Sequence, residues 1–466
     1  MAEGSKKVVL PWVATAALLV GAAGAATWAV PAFEESRHLK DGAHPAYESS
    51  PAASPIASAE SSSASPLDAQ ALSAQLGELA DSYSSGNVSL LVTDLASGKV
   101  LYNRGGDDAR MPASNFKILT DYTILRVMNP KARFTTKVVG SGKTLTLVAG
   151  GDTLLGTGES ERDVTLGRAG LKTLTTETVD ALIKQGASGE YTLNLDTSIF
   201  PSDALNPVWD PEDISAGFVT GVRPLAFYSH YSPGEKGTST ENRPQDAATQ
   251  VQQYALDQLN ALGKEHGITF VAGKEQKAEP AASELAAVES ATVAEQAAYM
   301  MTESDNMLAE TLARNAAVAA GKPGTIAGGK ETIFSTLEQD GVSTDKLTIS
   351  DFSGLSPENR VTSRTLLDLT SRIAKGENGE DAALAGFPVA GGTGTLASRF
   401  DDDNEKAAQG YARAKTGTLN SVIALTGYTT TSSGNLVLFS LIANDVSDPD
   451  ATKNLLDRSV SIITQN

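Results

Sequence analysis

The sequence lacks cysteine altogether and contains only four histidines among its 466 residues. Without cysteine, the chain cannot form a disulfide, a thiolate metal site or a cysteine nucleophile. His38 and His44 lie in a stretch that is predicted below to be a linker, and neither His230 nor His266 has the sequence context of a Ser-His-Asp triad or a zinc site. Acid–base chemistry must therefore depend mainly on carboxylates, lysines or tyrosines, and we predict neither a metal site nor a cofactor.

Positive charge is scarce as well. The chain has 37 lysines and arginines against 56 aspartates and glutamates, which gives a formal net charge of −19 at pH 7. Because so acidic a surface repels phosphate backbones, we predict that the protein does not bind nucleic acid. Apolar residues are plentiful, at 41% of the sequence, and the length favours a sizeable core and two or more domains.

The N-terminal segment carries a long uncharged apolar run. Lys6 and Lys7 precede this run, which extends over residues 8–30. About 20 apolar residues span a bilayer core, so we predict that residues 1–30 form a membrane anchor. The small residues at 21–26 leave cleavage as a signal peptide open. In either case the lysines stay inside and the remainder is exported, which predicts an extracytoplasmic protein.

The rest of the chain divides into a linker and a patterned region. Residues 31–66 are rich in Ser, Ala and Pro and have too few apolar side chains to fold, so we predict a disordered linker. Regular hydrophobic spacing begins near Leu67 and predicts a series of strands and helices. Strands are expected at 88–94, 99–102, 143–149, 191–195, 268–271, 420–428 and 436–443, and helices from Ser114 and at 171–185, 247–262, 291–317, 366–374 and 452–463.

Three short motifs stand in order along the patterned region. They are Ser114-Asn115-Phe116-Lys117, Ser304-Asp305-Asn306 and Lys415-Thr416-Gly417-Thr418. Singly, each has an ordinary structural explanation, namely a helix cap, a polar helix face and solvated lysines. Together and in this order, they make coincidence a poor explanation.

The first two motifs supply a nucleophile and groups that move protons. A serine hydroxyl needs an adjacent base, and Lys117 lies one helical turn after Ser114, on the same face. To accept a proton the lysine must be neutral, so burial or a second cation, for which Lys415 is the candidate, must lower its pKa. Ser304 and Asn306 are expected in the helix at 291–317 or in a turn that interrupts it. Ser304 can relay a proton to a leaving amine, and Asn306 can bind Lys117 and a substrate amide. Ser114 at a helix N-terminus would also aim free N–H groups at developing negative charge.

The third motif is suited to holding a free carboxylate. It continues directly into the predicted strand at 420–428, so we expect an edge strand there. Lys415 contributes positive charge, and Thr416 and Thr418 contribute hydroxyl groups. Gly417 leaves room for a substrate against the backbone.

The motif set resembles that of the low-molecular-mass class C penicillin-binding proteins, the D-alanyl-D-alanine carboxypeptidase and endopeptidase family. The resemblance covers about residues 67–466 and extends to segments outside the motifs. These segments are Gly150-Gly151-Asp152, residues 196–200, the region of Trp209, residues 351–362 and residues 387–396. The resemblance implies an α/β (α+β) transpeptidase-like fold, with an antiparallel sheet flanked by helices. It also implies a catalytic domain at 67–136 and 286–466, with an inserted α/β lobe at 137–285.

The same resemblance implies a reaction on peptidoglycan stem peptides. Ser114 would attack the D-Ala-D-Ala carbonyl, D-alanine would leave and water would hydrolyse the acyl-enzyme, while β-lactam antibiotics would acylate the same serine. The oxyanion would be held by the backbone N–H groups of Ser114 and Thr418. Asp152, in the inserted lobe, would meet the side chain of the substrate, although a turn aspartate is the alternative. The balance of carboxypeptidase and endopeptidase action stays open.

Two other functions are compatible with the motifs. A serine β-lactamase would share them, but no glutamate motif for a deacylating water is evident and the insert would be unnecessary. A non-catalytic cell-wall-binding module could also retain the motifs, but the intact set of Ser, Lys, Ser, Asn and Lys favours an enzyme.

Overall fold

The computed structural model describes residues 67–201, 204–234, 237–239, 243–376 and 379–466. The predicted anchor at 1–30 and the predicted linker at 31–66 lie outside these residues. In the part of the chain that is described, no helix combines the length and the apolar character needed to cross a membrane. The described residues belong to one compact unit.

The elements alternate along the chain much as the hydrophobic spacing predicts. The α-helices are α1 (Ala69–Asp81), α2 (Lys117–Val127), α3 (Leu171–Lys184), α4 (Pro211–Ser215), α5 (Ala247–Gly263), α6 (Val293–Glu303), α7 (Asn306–Ala319), α8 (Ile326–Gln339), α9 (Ser363–Lys375) and α10 (Pro449–Gln465). The strands are β1 (Asn87–Asp94), β2 (Val100–Arg104), β3 (Arg133–Ser141), β4 (Thr144–Val148), β5 (Gly189–Asp196), β6 (Ser232–Gly234), β7 (Gly237–Ser239), β8 (Ile268–Glu275), β9 (Ser283–Thr292), β10 (Arg413–Leu419), β11 (Val422–Thr430) and β12 (Leu436–Asn444).

The first sheet is antiparallel, with the strand order β10-β11-β12-β1-β2. Both faces of this sheet are covered. The reason can be seen in strand β12, whose side chains alternate between two apolar cores. Phe439 and Leu441 pack with residues of α1 and α10, whereas Leu438 and Ile442 pack with residues of α2, α6, α7 and α9. The predicted antiparallel sheet flanked by helices is therefore confirmed, and β10 is the predicted edge strand.

The second sheet has the order β8-β5-β4-β3-β9 and a core of its own. Strands β4, β5 and β8 are parallel to one another, and helices α3 and α5 pack on this sheet. Strand β3 leads the chain into the sheet and β9 leads it out, so the sheet spans residues 133–292. The assignment of residues 137–285 to a separate inserted lobe stays a prediction.

The prediction of one continuous helix at 291–317 is wrong. Helix α6 ends at Glu303, Ser304 adopts a left-handed conformation with φ 56°, and α7 begins at Asn306. The side chain of Asp305 accepts a hydrogen bond from the backbone N–H of Leu308 and so caps the new helix. Because of the break, the side chains of residues 304–306 do not follow the spacing of a regular helix. Their positions are described with the candidate site below.

Candidate active site

Ser114 lies in a 3₁₀ turn, Ala113–Phe116, that leads directly into α2. The preceding residue, Ala113, has φ 47°, a conformation that is rare outside glycine. The first residue of α2 is Lys117, so its side chain returns along the turn and its Nζ atom lies 3.0 Å from the Oγ atom of Ser114. Ser114 is half-buried, whereas Lys117 is fully buried.

The amine of Lys117 has three hydrogen-bond partners. Besides Ser114, it lies 2.7 Å from Oδ1 of Asn306 and 2.8 Å from the carbonyl oxygen of Ser353. Burial lowers the pKa of Lys117 to about 8, against the opposing charges of nearby acidic residues. These acidic residues are Asp351, Asp305 and Glu310. At pH 7 about one tenth of this amine is therefore neutral, far more than at an ordinary lysine.

Helices α6 and α7 contribute the second motif through the turn between them. The hydroxyl of Ser304 accepts a hydrogen bond from Nζ of Lys415 at 2.8 Å, and the side-chain amide of Asn306 reaches Lys117 as described above. Asp305 points the other way, and its Oδ1 accepts a hydrogen bond from the hydroxyl of Ser229 at 2.8 Å. The turn thus joins the two lysines on one side and is tied to the second-sheet region on the other.

Lys415 is fully buried on the edge strand β10. Its Nζ atom donates to Ser304 and also to the carbonyl oxygen of Thr416, at 3.0 Å. Burial, followed by the charge of Lys117, holds the pKa of Lys415 well below its usual range. The charge of Lys117 therefore disfavours an ammonium ion at Lys415, whereas the pKa of Lys117 is lowered by burial and not by Lys415, the second cation considered from the sequence.

Strand β10 lies against the nucleophile turn. A Cβ atom added at Gly417 would stand 2.7 Å from the carbonyl oxygen of Pro112 and 3.2 Å from the backbone nitrogen of Ser114, so only glycine permits this approach. The hydroxyl of Thr416 lies 2.7 Å from that of Thr395, and both side chains are nearly buried. Thr418 is half-buried and pairs with β11.

Asn115 was not singled out from the sequence, yet it joins the first motif to the third. Its side chain is fully buried. With its amide oriented to satisfy both ends, the nitrogen donates to the carbonyl oxygens of Lys415 and Thr416 at 2.7 and 3.2 Å, and the oxygen accepts from the hydroxyl of Thr426 at 2.8 Å. The sequence could have pointed to Asn115, because it is a polar residue at one of the two unspecified positions between Ser114 and Lys117.

A buried loop after α8 supplies the Ser353 carbonyl to Lys117. Asp351 holds this loop through four hydrogen bonds to its carboxylate. The donors are the N–H groups of Gly354 (2.8 Å) and Ser356 (2.7 Å), Nδ2 of Asn359 (2.7 Å) and the indole N–H of Trp209 (3.0 Å). The loop approaches the nucleophile turn so closely that a Cβ atom at Gly354, which has φ 83°, would meet the carbonyl oxygen of Ala113.

Asp152 lies outside this cluster of hydrogen bonds. Its side chain is 1% exposed, its Oδ1 accepts from the backbone N–H of Leu154 at 2.8 Å, and burial raises its pKa to about 7. The preceding residue, Gly151, accepts a hydrogen bond from Asn315 of α7 at 3.0 Å, which places the segment beside the helix that carries Asn306. Contact of Asp152 with a substrate stays a prediction. Within the described ranges, no group of three or more His, Asp or Glu side chains is arranged to hold a metal ion.

The structure thus gathers the predicted catalytic residues around one hydrogen-bonded path. Ser114, Lys117 and Asn306 are linked on one side, and Ser304 and Lys415 are linked on the other. The turn that contains Ser304 and Asn306 connects the two sides. Such an arrangement can activate a hydroxyl nucleophile and deliver a proton to a leaving group.

The sequence is similar to a known family and to known proteins. The sequence model of the D-Ala-D-Ala carboxypeptidase 3 (S13) family matches residues 71–242 and 234–466. A carboxypeptidase of Mycobacterium tuberculosis is 32% identical over 364 residues, which cover 76% of this chain and 75% of that protein.

Solved structures show a similar fold. Penicillin binding protein 4 from Haemophilus influenzae matches with a TM-score of 0.66 at 20% identity, covering 85% of this chain and 98% of that one. A structure of the same protein in complex with a β-lactam matches with a TM-score of 0.60 at 20% identity, covering 83% and 98% of the two chains.

Proposed function

The chain belongs to the D-Ala-D-Ala carboxypeptidase 3 (S13) family, as its motifs predicted, and from this premise we propose that it removes the terminal D-alanine of peptidoglycan stem peptides with Ser114 as the nucleophile. The observation that carries the proposal is the position of the Lys117 amine. This amine lies between the Ser114 hydroxyl and two buried oxygen acceptors.

The hydrogen-bond capacities of these three partners assign the role of the amine. An amide oxygen and a backbone carbonyl can only accept, so Asn306 and Ser353 each require an N–H from Lys117. A neutral amine has two N–H groups and one lone pair, and the two acceptors use both N–H groups. The lone pair then faces the hydroxyl of Ser114, which can donate. Lys117 is in this way oriented to act as a general base.

Acylation forms an ester and releases an amine. The Oγ atom of Ser114 attacks the carbonyl carbon of the D-Ala-D-Ala peptide bond while its proton moves to Lys117. The developing oxyanion is held by the backbone N–H groups of Ser114 and Thr418, as the family resemblance implies. Because the nucleophile turn and β10 lie against each other at Gly417, these two donors can face one carbonyl oxygen.

Expulsion of D-alanine requires a proton on its nitrogen. The hydroxyl of Ser304 delivers this proton and recovers one from Lys415, its hydrogen-bond partner. The terminal carboxylate of the substrate is recognised by the charge and hydroxyl groups of the third motif, namely Lys415, Thr416 and Thr418. Before deacylation, Lys117 gives up the proton that it took from Ser114, which restores the proton that Lys415 lost to the leaving amine. Water then attacks the ester carbonyl and transfers a proton to the neutral Lys117. Lys117 passes this proton to the Ser114 oxygen as the ester bond breaks.

A β-lactam follows the first half of this path. Its strained amide is attacked by Ser114 in the same way, but the departing nitrogen stays attached to the acyl group. The β-lactam complex of the Haemophilus protein, which has the same fold, supports this part of the proposal. We therefore expect a long-lived covalent adduct at Ser114 and inhibition of D-alanine release.

The reaction takes place outside the cytoplasm, where peptidoglycan is found. The uncharged apolar run after Lys6 and Lys7 supports a membrane anchor at residues 1–30, with residues 31–66 as a spacer. Extraction of membranes from cells that express the full chain tests this point. Recovery of the protein only with detergent supports the anchor, whereas release by alkaline buffer contradicts it.

The proposed chemistry is tested by the nucleophile variant Ser114→Ala. The full chain and the variant are incubated with a fluorescent penicillin, and separately with defined monomeric and cross-linked muropeptides. We expect a one-to-one adduct on Ser114 and release of D-alanine by the wild type, and neither by the variant. An adduct at the active site of Ser114→Ala would refute the assignment. Rapid repeated hydrolysis of the penicillin would favour a β-lactamase, and binding of stem peptide without D-alanine release would favour a non-catalytic module.

A further inference from the structure

Glu310 is a fully buried carboxyl group on α7 that the reaction described above does not use. It lies four residues after Asn306, on the same side of the helix. Its Oε1 atom accepts two backbone hydrogen bonds, from the N–H of Phe352 at 2.8 Å and from the N–H of Ser353 at 2.9 Å. Among the described residues, Oε2 has no hydrogen-bond partner.

These two hydrogen bonds hold the residue that supplies an acceptor to the general base. The carbonyl oxygen of Ser353 accepts from Nζ of Lys117 at 2.8 Å. The same peptide group presents its N–H, on Gly354, to Asp351 at 2.8 Å. Glu310 therefore fixes the two peptide groups before this one, and Asp351 fixes the peptide group itself.

The other side of the loop is held by α2. The hydroxyl of Thr120 donates to the carbonyl oxygen of Phe352 at 2.7 Å. Thr120 and Lys117 are neighbours on one face of α2, so the loop contacts the helix of the general base at two points. Glu310 closes the opposite side from α7. The hydrogen bond from Lys117 to this loop is accepted by a backbone carbonyl, so it depends on the orientation of the backbone.

We propose that Glu310 is a positioning residue for the general base, because its Oε1 atom holds the two peptide groups that precede the Ser353 carbonyl and so orients this carbonyl toward one N–H of Lys117. This inference rests on the proposed function. With that acceptor fixed, the lone pair of the neutral amine stays aimed at Ser114. Without it, the amine can rotate, and the proton transfer from Ser114 loses its alignment.

Helix α7 therefore supplies one acceptor of the Lys117 amine and supports the loop that supplies the other. Asn306 provides one directly with its own Oδ1 atom, and Glu310 provides the other indirectly by holding Ser353. A single rigid helix thereby fixes the relation between the general base and the turn that carries Ser304. A buried acid at this point is otherwise costly, and burial raises the pKa of Glu310 to about 8.

Three variants of the full chain separate the acceptor from the charge. Glu310→Gln removes the charge but keeps an oxygen at the Oε1 position, and its new amide replaces an oxygen that has no partner. Glu310→Met removes charge and acceptor at similar volume. Glu310→Asp keeps a carboxylate but withdraws it by one methylene from the two N–H groups, which breaks hydrogen bonds of this length. The matched control is Asn260→Leu, which removes two side chain–backbone hydrogen bonds to Phe270 in the second-sheet region.

The measurements are kcat and KM for D-alanine release, the rate of acylation by a fluorescent penicillin, and the pH dependence of that rate from about pH 6 to about pH 10. Lys117 is faced by Asp305 and Glu310, by Asp351 from the loop and by Lys415 from β10. Burial raises the pKa of Glu310 to about 8, so loss of its ionisation alone would change the upper part of the pH profile equally in the Gln and Met variants. The two variants differ only in the acceptor, so a difference between them isolates positioning.

We expect Glu310→Gln to keep kcat within about threefold of the wild type, and Glu310→Met and Glu310→Asp to lose about tenfold to 100-fold with little change in KM. Asn260→Leu should keep the kcat of the wild type, even if its melting temperature falls as much as that of the Glu310 variants. Equal losses in the Gln and Met variants, or wild-type kcat in the Asp variant, would overturn the proposal. If Ser114→Ala still formed the penicillin adduct, the proposed function itself would fail, whatever the Glu310 variants do.

Discussion

The side-chain nitrogen of Lys415 lies 2.8 Å from the hydroxyl oxygen of Ser304, so the edge strand and the turn between α6 and α7 meet in one hydrogen bond. This pair is placed to protonate the departing amine. We expect Ser304→Ala to lower kcat for D-alanine release by about 100-fold or more, because general acid catalysis contributes on that scale. Acylation by penicillin should fall less, since the ring nitrogen remains attached to the acyl group.

Steady-state D-alanine release and stopped-flow acylation measure the two effects. Ser215→Ala, which removes only a hydroxyl bonded within an exposed short helix, serves as the control. An unchanged rate of D-alanine release in Ser304→Ala would exclude the relay.

The pH profile of acylation should report the lysine beside the nucleophile. Lys117 must lose a proton to act as a base, and burial lowers its pKa to about 8. The acylation rate should therefore rise with pH about tenfold per unit below that value and level off above it. Asp305→Asn removes a negative charge that raises the pKa of Lys117, and it retains a residue that caps helices well. The midpoint of the rise should then move to lower pH, by roughly half a unit.

Acylation by a fluorescent penicillin, followed at constant ionic strength across this range, gives both midpoints. A rate that does not depend on pH would remove Lys117 from its role as base. A midpoint that moves upward in Asp305→Asn would contradict the assigned direction of the charge effect.

Glycine at position 417 should be essential for acylation. An added Cβ atom would stand 2.7 Å from the carbonyl oxygen of Pro112 and would push β10 away from the nucleophile turn. We expect Gly417→Ala to lower the acylation rate by about 100-fold, as small misplacements of reacting groups commonly do. Gly158→Ala is the matched control, because nothing lies within 4 Å of the new methyl group. If both variants acylated equally fast, the close approach would have no catalytic importance.

Asp152 should lower the stability of the folded protein at neutral pH. Its pKa is about 7 in the folded state, against 3.8 as the ordinary value, because burial disfavours its charge. The full stability is present below the unfolded-state value and declines as pH rises toward 7, by on the order of a few kcal/mol. Asp152→Asn keeps the acceptor for Leu154 and should remove this decline. Urea titrations at about pH 4 and about pH 8 measure the difference. If the free energy of unfolding of the variant, relative to the wild type, did not increase with pH, this account would be contradicted.

Much of the fold could be predicted because its elements follow local patterns. Strand β12 is apolar except for Ser440 and Asn444, and the third motif is followed within a few residues by the largely apolar strand β11, which identified the edge strand. The sequence left a continuous helix and an interrupting turn open as alternatives, because apolar residues such as Met300, Met301 and Met307 continue at helical spacing across the break between α6 and α7. The left-handed conformation of Ser304 leaves no trace in hydrophobic periodicity. Asp305, a favourable helix cap, was the one local signal.

The residues of the candidate site that belong to sequence motifs could be predicted. The residues that only the tertiary structure brings to the site could not. Ser114 and Lys117 are neighbours on one turn, so their contact follows from spacing. The contact of Lys117 with Ser353 joins residues 236 positions apart through a backbone carbonyl, which no side-chain pattern reveals. Glu310 stands between apolar residues of α7, and a lone acid on a buried face was the signal that could have found it.

The pairing of β1 with β12 governs when activity can first arise during synthesis. Ser114 and Lys117 leave the ribosome early, but the sheet that supports the third motif needs β12, one of the last elements of the described chain. A nascent chain that stops before Leu436 holds nucleophile and base but has no central strand to join β11 to β1. Hydrolytic capacity therefore requires β12, although the nucleophile and its base precede that strand by more than 300 residues.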